Sequence, residues 1–282
     1  MSRPSWGLSG DDDSGVVAAL PTVESLIARM DALLVQLRDQ QDPRRFFHAT
    51  YLRTTRAVGT ELAAGGFLDA AWVQRWDVVF AGFYLDALDA HRRDGPVPGP
   101  WAVAFGAGGT LPPLRHVLLG MNAHINYDLP QALLAVISDA EFRDPALVAR
   151  READHRHIDR VLAAVVDRSA TPPETAGRRS LPDRLLGPAN RLAAKRFLVE
   201  ARAKVWGNAR MLARARRQGE AAYQAQRAEL ERLATARVAD LVRPGPVLLR
   251  LSIRGFGITL PACGDTAATA ASHKLVRKET GR

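Results

Sequence analysis

Between Thr22 and Gln41 the apolar residues Val23, Leu26, Ile27, Met30, Leu33, Leu34 and Leu37 recur every three or four positions. That is the period of one helix face, so the pattern predicts an amphipathic helix ended by Asp42-Pro43. The same period predicts a helix from 44 to 64, stopped by Gly65-Gly66, and one from 70 to 92 with Asp69 as its cap. Further helices are expected over 116–134, 145–168, 188–218 and 220–242. Residues 94–113, DGPVPGPWAVAFGAGGTLPP, are rich in Pro and Gly and read as loop.

Pro244 and Pro246 close the helical part. After them VLLRLSIR (247–254) sets Leu249, Leu251 and Ile253 against Arg250, Ser252 and Arg254, the alternation of a strand, with GITL (257–260) as the one candidate partner in the chain and pairing with a second copy left open. The outcome is an all-α, single-domain bundle of about seven helices over 21–243, then a short extended segment over 244–261. Residues 1–20, with an Asp triplet among Gly and Ser, read as a disordered lead. Residues 169–188 read as a polar linker and 262–282 as a disordered basic tail.

Charge and composition narrow the partners. The chain of 282 residues carries a formal net charge of +9, and its pI is about 10.5. The arginines are spread along the chain and no RNA-binding or zinc-finger pattern occurs, which argues against nucleic acid. A single cysteine, Cys263, excludes an internal disulfide framework and a multi-cysteine metal site. The first residues lack the apolar core of a signal peptide, and no run of 18 apolar residues exists. A cytoplasmic location is expected. Gly-rich dinucleotide and phosphate loops and a Gly-x-Ser-x-Gly elbow are absent.

Chemistry enters through polar residues on apolar faces. In HVLLGMNAHINYDLPQALL (116–134), His116, Gly120, His124 and Asp128 are spaced by four, and Asn122 and Asn126 form a second pair opposite. Leu118, Leu119, Met121, Ile125 and Leu129 cover most of the remaining circumference, so the helix is expected to be buried and its polar groups paired or functional. Pro130 should end or kink it, because the ring clashes with the Asn126 carbonyl. Asp154 falls within the apolar face of 145–168, flanked by His155 and Asp159. Arg202 falls at the centre of the face formed by Leu198, Val199, Val205, Trp206 and Ala209. Asp77 and Tyr84 lie among Val78, Val79, Phe80, Phe83 and Leu88, and Tyr51 and Thr54 share a face with Phe47. Five helices that each turn a polar group inward predict a polar pocket inside the bundle. Bland roles stand beside this: Asp154 and Arg202 as a structural ion pair, Tyr84 as a core tyrosine, and His116 as a cap or surface residue.

GMNAHINYDLP (120–130) resembles the Gly-Met-Asn-Ala-His-Ile-Asn-x-Asp-Leu-Pro run of an actinobacterial family of unknown function. RRFFHATYLRTT (44–55), WDVVFAGFYLDAL (76–88) and ARAKVWGNARML (201–212) are similar to that family's other helices, so the likeness extends over residues 22–242. The resemblance implies the helical fold and favours His124, Asn126 and Asp128, and implies Asn where this chain has Asp159. It brings no activity.

Three functions fit. In the first, His124, Asp128 and Asp154, with His116 or His155, hold a divalent metal such as zinc, whose bound water hydrolyses a small substrate clamped by Arg202. In the second, a cyclase or isomerase without cofactor uses Asp154 with His124 as acid and base, while Tyr84, Tyr51, Asp77, Asn122 and Asn126 hold a partly apolar metabolite. In the third, the chain is a non-catalytic ligand-binding or interaction module. Oligomeric state is left open.

Overall fold

At Pro130 the computed structural model answers the expected break. The helix does not stop: Leu129 donates its N–H to the His124 carbonyl, five residues back, and the chain winds as a π turn over His124–Asp128. Pro130 has no N–H to offer the Asn126 carbonyl, and a widened turn absorbs that lost bond and the ring. Helix α5 (Pro113–Ala123), the π turn and α6 (Leu129–Val136) therefore form one continuous helical run.

The structure describes residues 21–168, 187–245, 247–255 and 257–262. The expectations for 1–20, for most of the 169–188 linker and for the tail beyond 262 fall outside them, as do the side chains of Leu198 and Val199.

The surrounding helices are α1 (Val23–Asp39), α2 (Arg45–Ala63), α3 (Ala70–Arg92), α4 (Gly99–Phe105), α7 (Pro145–Arg168), α8 (Gly187–Gln218), α9 (Glu220–Val242) and α10 (Val247–Arg254). Local chemistry sets their ends. Thr22 and Ser25 cap α1 reciprocally, and Asp69 accepts the Trp72 N–H at the start of α3. The Pro/Gly stretch contains α4, which sequence alone reads as loop; Pro100 sits in its first turn, where the missing N–H costs nothing. Helices α2 and α9 pack on α5, α3 and α8 pack on α6, and the π turn touches α3, α8 and α9. Enclosed on these sides, every residue from Asn122 to Leu134 is buried. The fold is an all-α bundle, and no strand occurs among the described residues.

Residues 247–254 correct the expected strand. They form α10, in which Val247 and Leu251, four apart, turn into the core while Ile253 is 75% exposed. Arg250 reaches back to the carbonyls of Asp240, Arg243 and Pro244 at the end of α9. The pattern suits either period over so short a run, and helix supplies donors for the last α9 carbonyls where a lone strand has no partner. Residues 257–262 then run as an extended strap, with Ile258 and Leu260 buried against Leu212, Leu230 and Tyr127.

Candidate functional site

Helix α3 carries the spine of the site. Trp72, Trp76 and Phe80 are four residues apart and stack in sequence, with ring centroids 6.3 and 5.4 Å apart and planes 17° off parallel at each step. His124, from the π turn, continues the column on Phe80 at 3.7 Å and 6°. Tyr51 meets the imidazole edge-on at 4.6 Å, and Phe47, Tyr84 and Trp101 complete an aromatic box around it.

Within that box one ring nitrogen is committed. His124 Nδ1 and Asp128 Oδ2 are 2.8 Å apart, and the Trp101 indole N–H donates to the same oxygen at 2.9 Å. His124 Nε2 is buried with no protein partner, as are the Tyr51 hydroxyl and Asp77 Oδ2. Burial pushes the Asp128 carboxyl well up and the imidazole well down, with the Arg202 charge adding to the second effect. Both groups resist charging. One proton lies in the bond between them, and in the neutral pair the second sits on Nε2. Asp77 is raised to about 7 by burial, against the pull of Arg202. Tyr51 is raised well above the ordinary phenol, first by burial and then by the charges of Asp77 and Asp128, so its hydroxyl stays a donor.

This cluster lies inside the segment that decides the family: residues 23–244, from the start of α1 past the end of α9, match it. The chain belongs to the family of unknown function DUF5995. No curated protein and no solved structure matches the chain.

For this DUF5995 chain, Tyr51, Asp77, His124 and Asp128 come together as sequence reasoning expects; the other candidates do not join them. Asp154 is the main correction. Its two oxygens accept the N–H groups of Leu68 and Asp69 at 2.7 and 3.0 Å, so it caps the approach to α3. Arg202 pairs with Asp159 instead of Asp154, and also reaches the His155 carbonyl at 3.5 Å. Asn122 and Asn126 bond each other at 3.2 Å; Asn122 also bonds its own helix, and Asn126 accepts the Ile258 N–H of the strap. The Tyr84 hydroxyl donates to His48 Nδ1 at 2.9 Å, whose Nε2–H donates to the Met30 carbonyl, so Tyr84 is a satisfied core tyrosine. His116 is buried, contrary to a surface role, because the Phe46 ring covers it.

A metal held by His124, Asp128 and Asp154 does not fit this arrangement. Asp128 occupies the Nδ1 of His124, backbone amides occupy both oxygens of Asp154, and the described residues contain no group of three or more His, Cys, Asp or Glu placed around one ion.

One residue of the candidate site escapes the sequence, and one candidate falls outside the cluster. Trp101 sits in the Pro/Gly stretch, where only the short apolar run WAVAF hints at a helix. His155 accepts the Trp206 indole N–H at Nδ1 (3.1 Å), so its proton is on Nε2, which is buried and unpartnered beside Trp76.

Proposed function

We propose that this chain is an isomerase or cyclase that moves a proton within a small, partly apolar metabolite. The observation that carries the reading is that three buried polar atoms, Asp77 Oδ2, His124 Nε2 and the Tyr51 hydroxyl, are unpartnered, and that Tyr51 links them, its ring 4.6 Å from the His124 ring and its hydroxyl coupled to the Asp77 charge. Buried polar groups are nearly always paired, and unpartnered ones concentrate where a reacting molecule supplies the bonds. Asp77, raised to about 7, is balanced between its acid and carboxylate forms at neutral pH. It takes a proton from the substrate as general base. The neutral His124–Asp128 pair returns one from Nε2, with Trp101 holding Asp128 in position. The Tyr51 hydroxyl donates to the oxygen on which charge develops. The aromatic box excludes water and strengthens each of these bonds.

The test needs no known substrate. The native protein is incubated in D2O with a small-metabolite extract and the mixture read by mass spectrometry. The expected result is a metabolite that gains one deuteron or turns into a species of equal composition, with the change absent for Asp77→Asn and His124→Gln. An unchanged extract overturns the reading in favour of a structural polar core. Two lighter products whose masses sum to that of a consumed metabolite plus one water overturn it in favour of hydrolysis.

A further inference from the structure

The strap over 257–261 is held by side chains that read its main chain. Lys204 donates to the Gly257 carbonyl at 3.4 Å, and Asn126 accepts the Ile258 N–H at 3.3 Å. Asn208 donates to the Ile258 carbonyl and accepts the Leu260 N–H, at 3.0 and 2.9 Å. Gln226 donates to the Pro261 carbonyl at 3.2 Å. Among the described residues, no hydrogen bond of 257–262 runs from backbone to backbone. A strand or helix of the fold would bond main chain to main chain. Side chains that bond an extended backbone, with pockets for alternate residues, are instead how proteins bind peptides.

The pockets are present too. Ile258 and Leu260, two apart, are buried against Leu212, Leu230 and Tyr127, while Thr259 between them is exposed. At Gly257 the segment lies directly on α8: a Cβ there would be 3.1 Å from the Ala201 Cα and 2.7 Å from the Lys204 Cδ. Gly255, at φ 74°, turns the chain from α10 toward the groove, a conformation that glycine adopts without strain. Groove and occupant also divide at the family boundary. Asn126, Lys204, Asn208 and Gln226 fall within the matched residues 23–244, and the strap falls beyond them.

We propose that this groove is a peptide-recognition site, and that residues 257–261 are its tethered occupant, which an extended segment of a partner protein replaces. The chemistry asked of the partner is that of the strap: a small residue against α8, two large aliphatic residues two apart, and no charge on either. Peptide binding here is independent of the proton chemistry proposed for His124.

Two measurements on the full chain test the groove. Native-state hydrogen exchange reads the Ile258 and Leu260 amides, both held by asparagine side chains. They are expected to exchange through local release of the strap, at least about tenfold faster than the amides of α8 beneath them. Exchange at one common rate with α8 means that the strap opens only with the whole fold, and overturns the proposal. In the second measurement Ile258→Asp with Leu260→Asp vacates the groove, and a fluorescein-labelled peptide of residues 254–262, RGFGITLPA, is titrated into it. The peptide is expected to bind the variant, and to bind the native chain at least about tenfold more weakly because the tethered strap competes. Adding Asn208→Ala should weaken binding by about tenfold, and a peptide with the same two aspartates should not bind. A folded variant that binds no peptide, or binds it no better than the native chain, overturns the proposal. Should the variant fail to fold, the exchange rates of the unaltered protein decide. A native chain that sediments as a dimer, dissolved by the same two substitutions, makes a second copy the occupant and overturns the partner proposal.

Discussion

The π turn has two polar sides, and they are furnished in opposite ways. On the strap side, Asn122, Asn126 and Asn208 find protein partners: Asn208 alone donates to the Ile258 carbonyl and accepts the Leu260 N–H, at 3.0 and 2.9 Å. On the aromatic side, His124 Nε2, the Tyr51 hydroxyl and Asp77 Oδ2 have none. Both sides are equally buried, so desolvation does not distinguish them. Satisfaction does. A saturated network fixes a conformation, whereas buried groups left open cost stability and are kept where a ligand completes them. The same turn thus carries a clamp on one side and a set of unpartnered polar groups on the other, and removing polar groups should have opposite effects on the two.

The largest effect is expected at Asp77. Its carboxyl keeps a proton to about pH 7 in the folded chain, against 3.8 for the ordinary side chain. The folded state therefore binds the proton more tightly than the unfolded one, and stability falls as pH rises from 3.8 toward about 7. A shift of that size, in which the attraction of Arg202 is already included, corresponds to up to about 4 kcal/mol lost above neutrality. Asp77→Asn has no charge to bury. It should be more stable than the native chain at pH 8 and lose that advantage by pH 4 in denaturant titrations, while losing proton transfer. A variant less stable than the native chain at pH 8 would mean that the Asp77 carboxylate is well paired, and the contrast between the two sides would fail.

On the clamp side the sign reverses. Asn208→Ala removes both bonds to the strap and strands the Ile258 carbonyl and the Leu260 N–H, which are buried. The expected cost is about 2–4 kcal/mol, with little dependence on pH because no group involved titrates. Guanidinium unfolding at pH 5 and pH 8 checks both points. A loss below about 0.5 kcal/mol, the range of ordinary surface changes, would show that the strap contributes little and that its asparagines are available for another task.

The contrast explains what sequence could and could not reveal. Helical spacing was enough to bring Tyr51, Asp77, His124 and Asp128 to the interior, because an inward direction depends only on the 100° advance per residue. It could not separate Asn126 from His124. Both are polar residues in one buried turn, and only the strap, 132 residues further on, shows which is saturated. Asp154 reads like Asp77 for the same reason: its partners are two backbone amides before α3, and amides leave no mark in the residue pattern. Trp101 was hidden because Pro and Gly dominate the stretch around α4. Residues 247–254 fit a strand and a helix alike, and the decision rests on Arg250 finding the end of α9.

The smallest effect on stability is the sharpest check. The Tyr51 hydroxyl is buried and makes no well-formed hydrogen bond in the protein; the Thr55 side chain is near enough to pull its pKa down, but the Thr55 hydroxyl donates to the Tyr51 carbonyl instead. The ring is held by other means, stacked on Phe47 at 5.8 Å and set edge-on to Phe80, Tyr84 and His124. Tyr51→Phe keeps all of that packing and deletes one desolvated polar group. Stability should therefore stay level or rise by up to about 1 kcal/mol, because an unpaired buried hydroxyl is a net cost. Proton transfer should fall, since the donor to the developing negative charge is gone. Equal stability with lost transfer places the hydroxyl in the chemistry. A destabilisation of more than about 1 kcal/mol would show instead that the hydroxyl bonds within the protein. The aromatic side would then be as saturated as the strap side, and the distinction on which the functional reading stands would be lost.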